Sequence, residues 1–382
     1  MNGRVTIQEV KSLLQARMLE YCKQMLPRGR REAGKWVSNN PITADDKKSP
    51  ALKVHLDGSQ AGAWKCWRSG DGGDAIGLCA YLNGFPARDN KSGMKFAAEF
   101  LGLSRMLPAE RRDLRKQAEN ARKKQDEEAQ KKRLWRLQAA KKLFFSATES
   151  WKEWAVAGCC EFMPVQRHFV EYLAGRNIAI DQIPYLDEST FRFSPGTEYW
   201  KLAEWRYENG RRRKVKPGPE FPAVHSAMRN AFGQITACHV TFLDPLQPVK
   251  APLDPPKLMF GEALGSFISI SKGKSGEDPI TPQDPALVGI SEGIETAFTI
   301  AEAMPDERIW AAGSLAGFKK LPLDLPCVGK AILCRDNNTG NDQAQRQFDA
   351  AVEALEAFEK PVAIIAPPDP AMDDFNDLAT QG

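Results

Sequence analysis

Short apolar runs rich in β-branched residues and bounded by turn residues recur in the last third of the chain, at 287–290, 331–333 and 362–366. Such runs predict buried strands, and the segments between them, 295–304 and 342–358, read as helices. Alternating strands and helices imply a parallel sheet with right-handed crossovers, and such sheets bind ligands beyond the carboxyl ends of their strands. Further forward, 233–243 alternates like a strand and 245–256 is a proline-rich loop, which together predict an α+β region. Near the front, strand-like residues at 52–56 and 64–67 precede the glycine turn Gly70-Asp-Gly-Gly-Asp74 and a helix over 75–82 capped by Asp74. The stretch 111–142 has few apolar residues before Leu134, Trp135 and Leu137, the composition of a solvated helix.

With 382 residues the chain is long enough for two or three domains, each with its own core. Hydrophobic residues at 42% and charged residues at 27% fit a globular protein. No apolar stretch approaches the roughly 20 residues that cross a bilayer, and the start lacks the apolar core of a signal peptide. A cytoplasmic protein with no membrane association is expected. Eight cysteines, none in a Cys-x-x-Cys pair, predict reduced thiols and neither a disulfide framework nor a clear zinc site. A net charge of only +4 means that nucleic-acid binding must come from local patches. The run 111–142 is a linker helix or a nucleic-acid arm; interspersed acids favour the linker. The cluster Arg211, Arg212, Arg213 and Lys214, with Lys216, follows Trp200, Trp205 and Tyr207. It reads either as a phosphate-contacting and stacking surface or as a basic hairpin tip that only keeps the protein soluble.

Candidate chemistry lies where the strands of the last third end. Glu292 follows the first apolar run, Asp336 follows the second, and Asp373, Asp374 and Asp377 follow the third. Carboxylates converging on one sheet edge repel one another unless a cation sits among them, and oxygen-only ligands suit Mg²⁺ holding phosphates. Acids that merely cap helices and turns are the plain alternative. The motifs Ser291-Glu-Gly-Ile-Glu-Thr-Ala297, Asp336-Asn-Asn338 and Asp374-Phe-Asn-Asp377 resemble the Toprim domain of primases, topoisomerases and some nucleases. The resemblance implies that Glu292 assists phosphoryl or nucleotidyl transfer and that Asp336, Asn338, Asp374 and Asp377 hold Mg²⁺ or Mn²⁺. Asn338 stands where the family has a second acid, which removes a charge and predicts weaker metal binding.

Two further stretches resemble primases. The front region is similar to their small zinc-ribbon domain, but its ligands are largely missing: Cys66 remains alone opposite Trp36-Val-Ser-Asn-Asn-Pro41. Four-ligand sites need all their ligands, so zinc is not expected. The stretch from Tyr172-Leu-Ala-Gly-Arg-Asn-Ile178 to Pro256-Lys-Leu-Met-Phe-Gly261 resembles the region preceding Toprim in primases of phages, plasmids and integrated elements. There the resemblance implies template and nucleotide contacts by Arg176, Arg192 and Lys257. Gly273-Lys-Ser275 is not a P-loop, because position 268 is Ile and not the required Gly. His168, His225 and His239 share no metal-ligand spacing and read as structural.

The expected organisation is an α/β and α+β multidomain chain: a zinc-ribbon-like domain without zinc over 1–107, a charged linker helix over 108–145, a primase-core subdomain over 146–283 and Toprim over 284–382. The function that the resemblance implies is synthesis of RNA primers on single-stranded DNA from ribonucleoside triphosphates, for a phage, plasmid or integrated mobile element and beside a separate replicative helicase. The alternatives are a Toprim nuclease and a weakened nucleic-acid-binding module.

Overall fold

The computed structural model describes residues 6–32, 34–42, 50–103, 108–147, 149–150, 164–208, 211–337, 342–369, 372 and 374–375. Asn338, Asp373 and Asp377 lie outside the described residues. The chain divides into two compact units, Met1–Arg133 and Leu134–Gly382.

In the first unit, helix α1 (Ile7–Ala16) begins with a reciprocal capping box, in which Thr6 Oγ1 accepts from the Glu9 amide and the Glu9 carboxylate accepts from the Thr6 amide. Helix α2 (Met18–Met25) leads into an antiparallel sheet of β1 (Arg30–Glu32), β2 (Lys35–Ser38), β3 (Leu52–His55), β4 (Trp64–Cys66) and β5 (Gly72–Gly73), paired in that order. Asp74 caps α3 (Ala75–Leu82) by accepting from the Gly77 amide, and every residue of this helix is buried. Helix α4 (Asn90–Phe100) lies close against it, because a Cβ on Gly93 would fall 2.4 Å from the Ile76 carbonyl oxygen. The expected strands, glycine turn and capped helix are all present.

Helix α5 (Pro108–Ser146) is 39 residues long. Its described side chains are exposed over most of its length, and its last turns bury Ala140 and place Phe144 in a core of the second unit. That unit contains α6 (Pro164–Ala174) and a ten-stranded mixed sheet. The sheet contains β6 (Glu149–Ser150), β7 (Phe191–Glu198), β10 (Glu220–Asn230), β11 (Ile235–Phe242), β12 (Lys257–Gly261) and β13 (Ser266–Lys272). It continues through β14 (Ala286–Ser291), β15 (Arg308–Ala311), β16 (Val328–Cys334) and β17 (Val362–Ile365). The main path runs β12-β11-β10-β13-β15-β14-β16-β17, and β7 pairs with β10 beside β13. A separate ribbon is formed by β8 (Glu204–Glu208) and β9 (Arg211–Lys216).

The parallel βαβ arrangement expected for the last third holds: β14 is parallel to β15 and β16, and β16 is parallel to β17. Helix α7 (Ile294–Ala303) packs Phe298 and Ala297 on one face with Phe169, Phe191, Ile268 and Ile270. The short helix α8 (Leu315–Phe318) and α9 (Asp342–Glu356) cover the other face with Phe318, Phe348 and Leu355 around Phe267 and Trp310, whose rings stack at 4.0 Å. One expectation needs correcting. The third apolar run does form a strand, but β17 is not buried, since Ile364 and Ile365 stay 48% and 39% exposed. It pairs only with β16, and an edge strand lacks the neighbour that would cover it.

His168 and His225 are held by hydrogen bonds within the fold. His168 Nε2 meets the Asp244 carbonyl oxygen at 2.6 Å. His225 donates from Nδ1 to the Leu143 carbonyl at 2.9 Å and so accepts at Nε2 from Thr197 Oγ1 at 2.8 Å. Burial pushes His225 and His239 down to about 4. The folded state therefore refuses a proton that the unfolded chain takes up, so stability is full above the ordinary value of 6.5 and falls as the pH drops toward 4. Denaturant midpoints should decline between pH 7 and pH 5 by an amount that His225→Asn reduces; a flat profile would contradict the assignment.

Candidate functional site

Three strand ends place the acids. Glu292 follows β14, where its backbone carbonyl accepts from the Gly313 amide and its side chain accepts from the Leu315 amide. Burial raises the Glu292 carboxyl above the ordinary range, and the Leu315 bond and the charge of Lys257 only partly offset this. Asp336 lies two residues beyond β16 and is half-buried. The neighbouring Asn337 donates its amide to the carbonyl oxygens of Pro367, Asp369 and Met372 at 3.3, 3.0 and 2.9 Å. That staple ties the loop carrying Asp336 to the segment leading into Asp374. Asp374 is also half-buried, and its charge reaches the Tyr172 hydroxyl.

Beside Glu292 lies a cationic wall from the central part of the second unit. Lys257 opens β12, and its Nζ lies 2.7 Å from Glu295 Oε2. Lys250, from the proline-rich loop, places Nζ 3.0 Å from Glu295 Oε1, and the Tyr172 hydroxyl donates to the same oxygen at 2.8 Å. Glu295 is 5% exposed and sits in the first turn of α7, where the helix dipole also favours a carboxylate. Burial alone would raise it, but Lys257 and Lys250 hold it well below the usual carboxylate range. The charge of Arg176 reaches both Tyr172 and Lys250. His239 is buried against both lysines and remains neutral.

Of the residues singled out by sequence, the structure brings together Glu292, Lys257, Arg176 and Asp374 around Glu295 and Tyr172, with Asp336 on the adjoining strand end. Arg192 lies elsewhere, on β7, bonded to the Ala147 carbonyl and with its guanidinium over the rings of Phe144 and Phe145 at 5.4 and 4.8 Å. The basic run 211–214 opens β9, opposite β8, and two of its residues, Arg213 and Lys214, are paired with acids. Lys214 bonds Glu198 at 2.6 Å, Arg213 bonds Glu208 at 3.3 Å and Lys216 lies 3.6 Å from Glu204. The run itself holds no acid, and pairing across strands supplies them. Lys214 also lies 5.3 Å from the Trp205 ring, a cation–π contact. Sequence reasoning does not single out Lys250, Glu295, Tyr172 or Asn337 as site residues. The signal for the first three is the pairing of a buried acid at the helix start with lysines distant in sequence, which only the fold reveals.

The donors at the sheet edge are hard oxygens of the kind that hold Mg²⁺. Among the described residues, however, no group of three His, Cys, Asp or Glu side chains closes on one point. Two further expected ligands, Asn338 and Asp377, lie outside the described residues.

In the first unit Cys66 is fully buried, and Asn40 Nδ2 donates to its sulfur at 3.3 Å and to the Tyr81 hydroxyl at 2.7 Å. Burial works to raise this thiol, but hydrogen bonds from Ser69, Arg68 and Asn40 carry it below its ordinary value.

Residues 287–382 match the Toprim domain family, and residues 150–270 match a domain of unknown function (DUF7146). The acidic strand-edge half of the site therefore belongs to a Toprim domain. No curated protein matches the sequence. Among solved structures the chain is similar to the zinc-binding and RNA polymerase domains of the Aquifex aeolicus primase, at 14% identity over 98% of this chain and 82% of that one, with a TM-score of 0.36. It is also similar to a DNA primase domain from Pseudomonas aeruginosa, at 17% identity over 58% and 70% of the two chains, with a TM-score of 0.37. The primase fragment of the bacteriophage T7 primase-helicase shows 13% identity over 55% and 69%, with a TM-score of 0.33.

The surroundings of Cys66 generate a prediction for the first unit. Its sulfur is met by N–H and O–H donors from Asn40 and Ser69, and a structural zinc needs several thiolate or imidazole ligands. Elemental analysis of the purified protein should find no stoichiometric zinc; about one zinc per chain would refute this.

Proposed function

We propose that the protein is a Toprim-type primase, or a close primase-like nucleotidyltransferase, that joins ribonucleotides on single-stranded DNA. The observation that carries this reading is the meeting, around Glu295, of the acidic edge of the Toprim strands with the Lys250–Lys257–Arg176 wall. Nucleotidyl transfer needs both sides: carboxylates for metal and proton handling, and cations for a substrate of high negative charge.

In the proposed reaction the 3′-hydroxyl oxygen of the primer end attacks the α-phosphorus of a ribonucleoside triphosphate. A new P–O bond forms, the bond to the β-phosphate oxygen breaks, and pyrophosphate leaves. Glu292 takes the hydroxyl proton, a role suited to a carboxyl raised by burial. Asp336 and Asp374 would hold Mg²⁺ or Mn²⁺, with Asn338 and Asp377 as further ligands, and the metal supplies charge stabilisation to the phosphates when bound. Arg176 and Lys257 serve the nucleotide, and Arg211, Arg212, Arg213 and Lys214 on the ribbon serve the template. A replicative helicase is a candidate partner. A zinc-free, ribbon-like front unit is part of the same proposal.

The test is a template-directed assay with labelled ribonucleotides, run beside a nuclease assay on the same DNA. Primer synthesis supports the reading, and cleavage without synthesis replaces it with a Toprim nuclease. Glu292→Gln should lower synthesis by roughly 10²-fold or more, the usual contribution of a positioned proton acceptor, while single-stranded DNA binding is retained. Asp336→Ala should lose far more metal-dependent activity than Asn338→Ala, because a carboxylate brings charge that an amide lacks. Equal rates for Asp336→Ala and the unaltered protein would remove the assignment.

For the ribbon, neutralising Arg211, Arg212, Arg213 and Lys214 together should weaken single-stranded DNA binding and flatten its salt dependence by ~0.7 for each phosphate no longer neutralised. The change should be smaller than four free cations would give, since Glu198 and Glu208 already engage Lys214 and Arg213. An unchanged salt slope would make the ribbon a solvated tip.

A further inference from the structure

One carboxylate at the centre of the site serves two ammonium groups. Lys250 and Lys257 take the two oxygens of Glu295, at 3.0 and 2.7 Å, and the Tyr172 hydroxyl adds a third donor. The glutamate is buried, while the lysine side chains remain 28% and 31% exposed. The carboxylate thus forms the floor, and the cations form a rim that solvent reaches. A single carboxylate offsets only one of the two charges, so the trio carries a net positive charge, to which Arg176 adds.

A buried ion pair kept only for stability has no need of an uncompensated second cation, and such pairs are in any case weak sources of stability. Each ammonium has three N–H donors and uses one on Glu295. Among the described residues, the hydrogen bonds and ion pairs of these two groups are with Glu295 alone. His239, packed beside both lysines, is buried with no hydrogen-bond partner for its Nδ1. A buried polar atom without a partner beside an excess of positive charge is the mark of a place that takes a ligand or water.

We propose that Glu295 is a positioning residue that holds Lys250 and Lys257 side by side as a cradle for the polyphosphate tail of a nucleoside triphosphate, with Lys250 as a direct phosphate contact. This rests on the nucleotidyl-transfer reading above. The two ammonium groups are anchored on the two oxygens of one carboxylate, so they sit close together. That suits adjacent phosphoryl groups joined through a single oxygen, whereas successive phosphates of a nucleic-acid strand are separated by a sugar. The cradle adjoins Glu292, which lies three residues before Glu295 in the loop leading into α7 and feels the charge of Lys257. Tyr172 fixes the carboxylate from α6, and Lys250 also lies 5.9 Å from the Tyr172 ring.

The experiment is equilibrium binding of ATP, ADP and AMP to the full chain in EDTA, so that no metal bridge contributes. The unaltered protein should bind in the order ATP, ADP, AMP. Lys250→Met and Glu295→Gln should each weaken ATP by about tenfold or more, as expected for loss of a charge-assisted interaction, and change AMP by less than about threefold. Glu295→Gln keeps both lysines, so loss of the ATP–AMP difference in that variant identifies positioning; equal weakening of all three nucleotides would indicate a merely structural role and overturn the proposal. Should Glu295→Gln fail to fold, Lys250→Met carries the test, because its lysine is partly exposed. ATP binding by Lys250→Met as tight as that of the unaltered protein, or no ATP preference in the unaltered protein, would also overturn it. Weakened binding of single-stranded DNA with ATP binding intact would assign the lysines to the template instead. If the nucleotide ladder behaves as expected but no primers are made, the nucleotidyl-transfer reading fails and the cradle stands. If primers are made but the ladder does not respond to either variant, the cradle alone fails.

Discussion

The backbone pairing of β13 is the constraint on which the second unit depends. One edge of this strand pairs with β10, opposing Arg229 to Phe267 and Asn230 to Ser266, and the other pairs with β15 from Ile268–Ala311 to Lys272–Arg308. The antiparallel strands of the central region and the parallel strands of the Toprim domain therefore belong to one sheet. A shift of β13 by one residue would exchange its faces, moving Phe267 out of the core shared with Trp310 and moving Ile268 and Ile270 away from Phe298. The register is thus held by burial on both sides. Through it the position of Lys257 on β12 is fixed relative to Glu295 beyond β14, although five pairings separate the two strands.

What is legible in the sequence is what local pattern encodes. The strands of the last third, the helices between them and the placing of Glu292 and Asp336 at strand ends follow from periodicity and from the geometry of βαβ units. The exposure of β17 does not, because Val362–Ile365 has the composition of a central strand and only the sheet order makes it an edge. The charge of the 211–214 run is hidden from the sequence for a related reason. The run itself contains no acid, whereas register places Glu208 opposite Arg211 and the fold brings Glu198 of β7 to Lys214. Asn337 lies inside a recognisable motif, but its three carbonyl partners are 30 to 35 residues away, and nothing in the local sequence announces them.

Glu292 and Glu295 show how two carboxyls three residues apart acquire opposite characters. Glu295 points into a site with two ammonium groups and a tyrosine hydroxyl, so full burial leaves it firmly ionised. Glu292 is half-buried with one amide bond and the charge of Lys257 near it, so desolvation prevails and its carboxyl is raised. Environments that push neighbouring titratable groups apart are how a site obtains a fixed charge and a proton acceptor from the same side chain. The fixed charge gathers the cations, and Lys257 in turn keeps the Glu292 carboxyl from being raised further. Removing Glu295 would therefore act on Glu292 through Lys257 as well as on the placing of the two lysines. Both carboxyls are placed by one loop and one helical turn after β14, so the fixed charge and the raised carboxyl are set by the same short segment of chain.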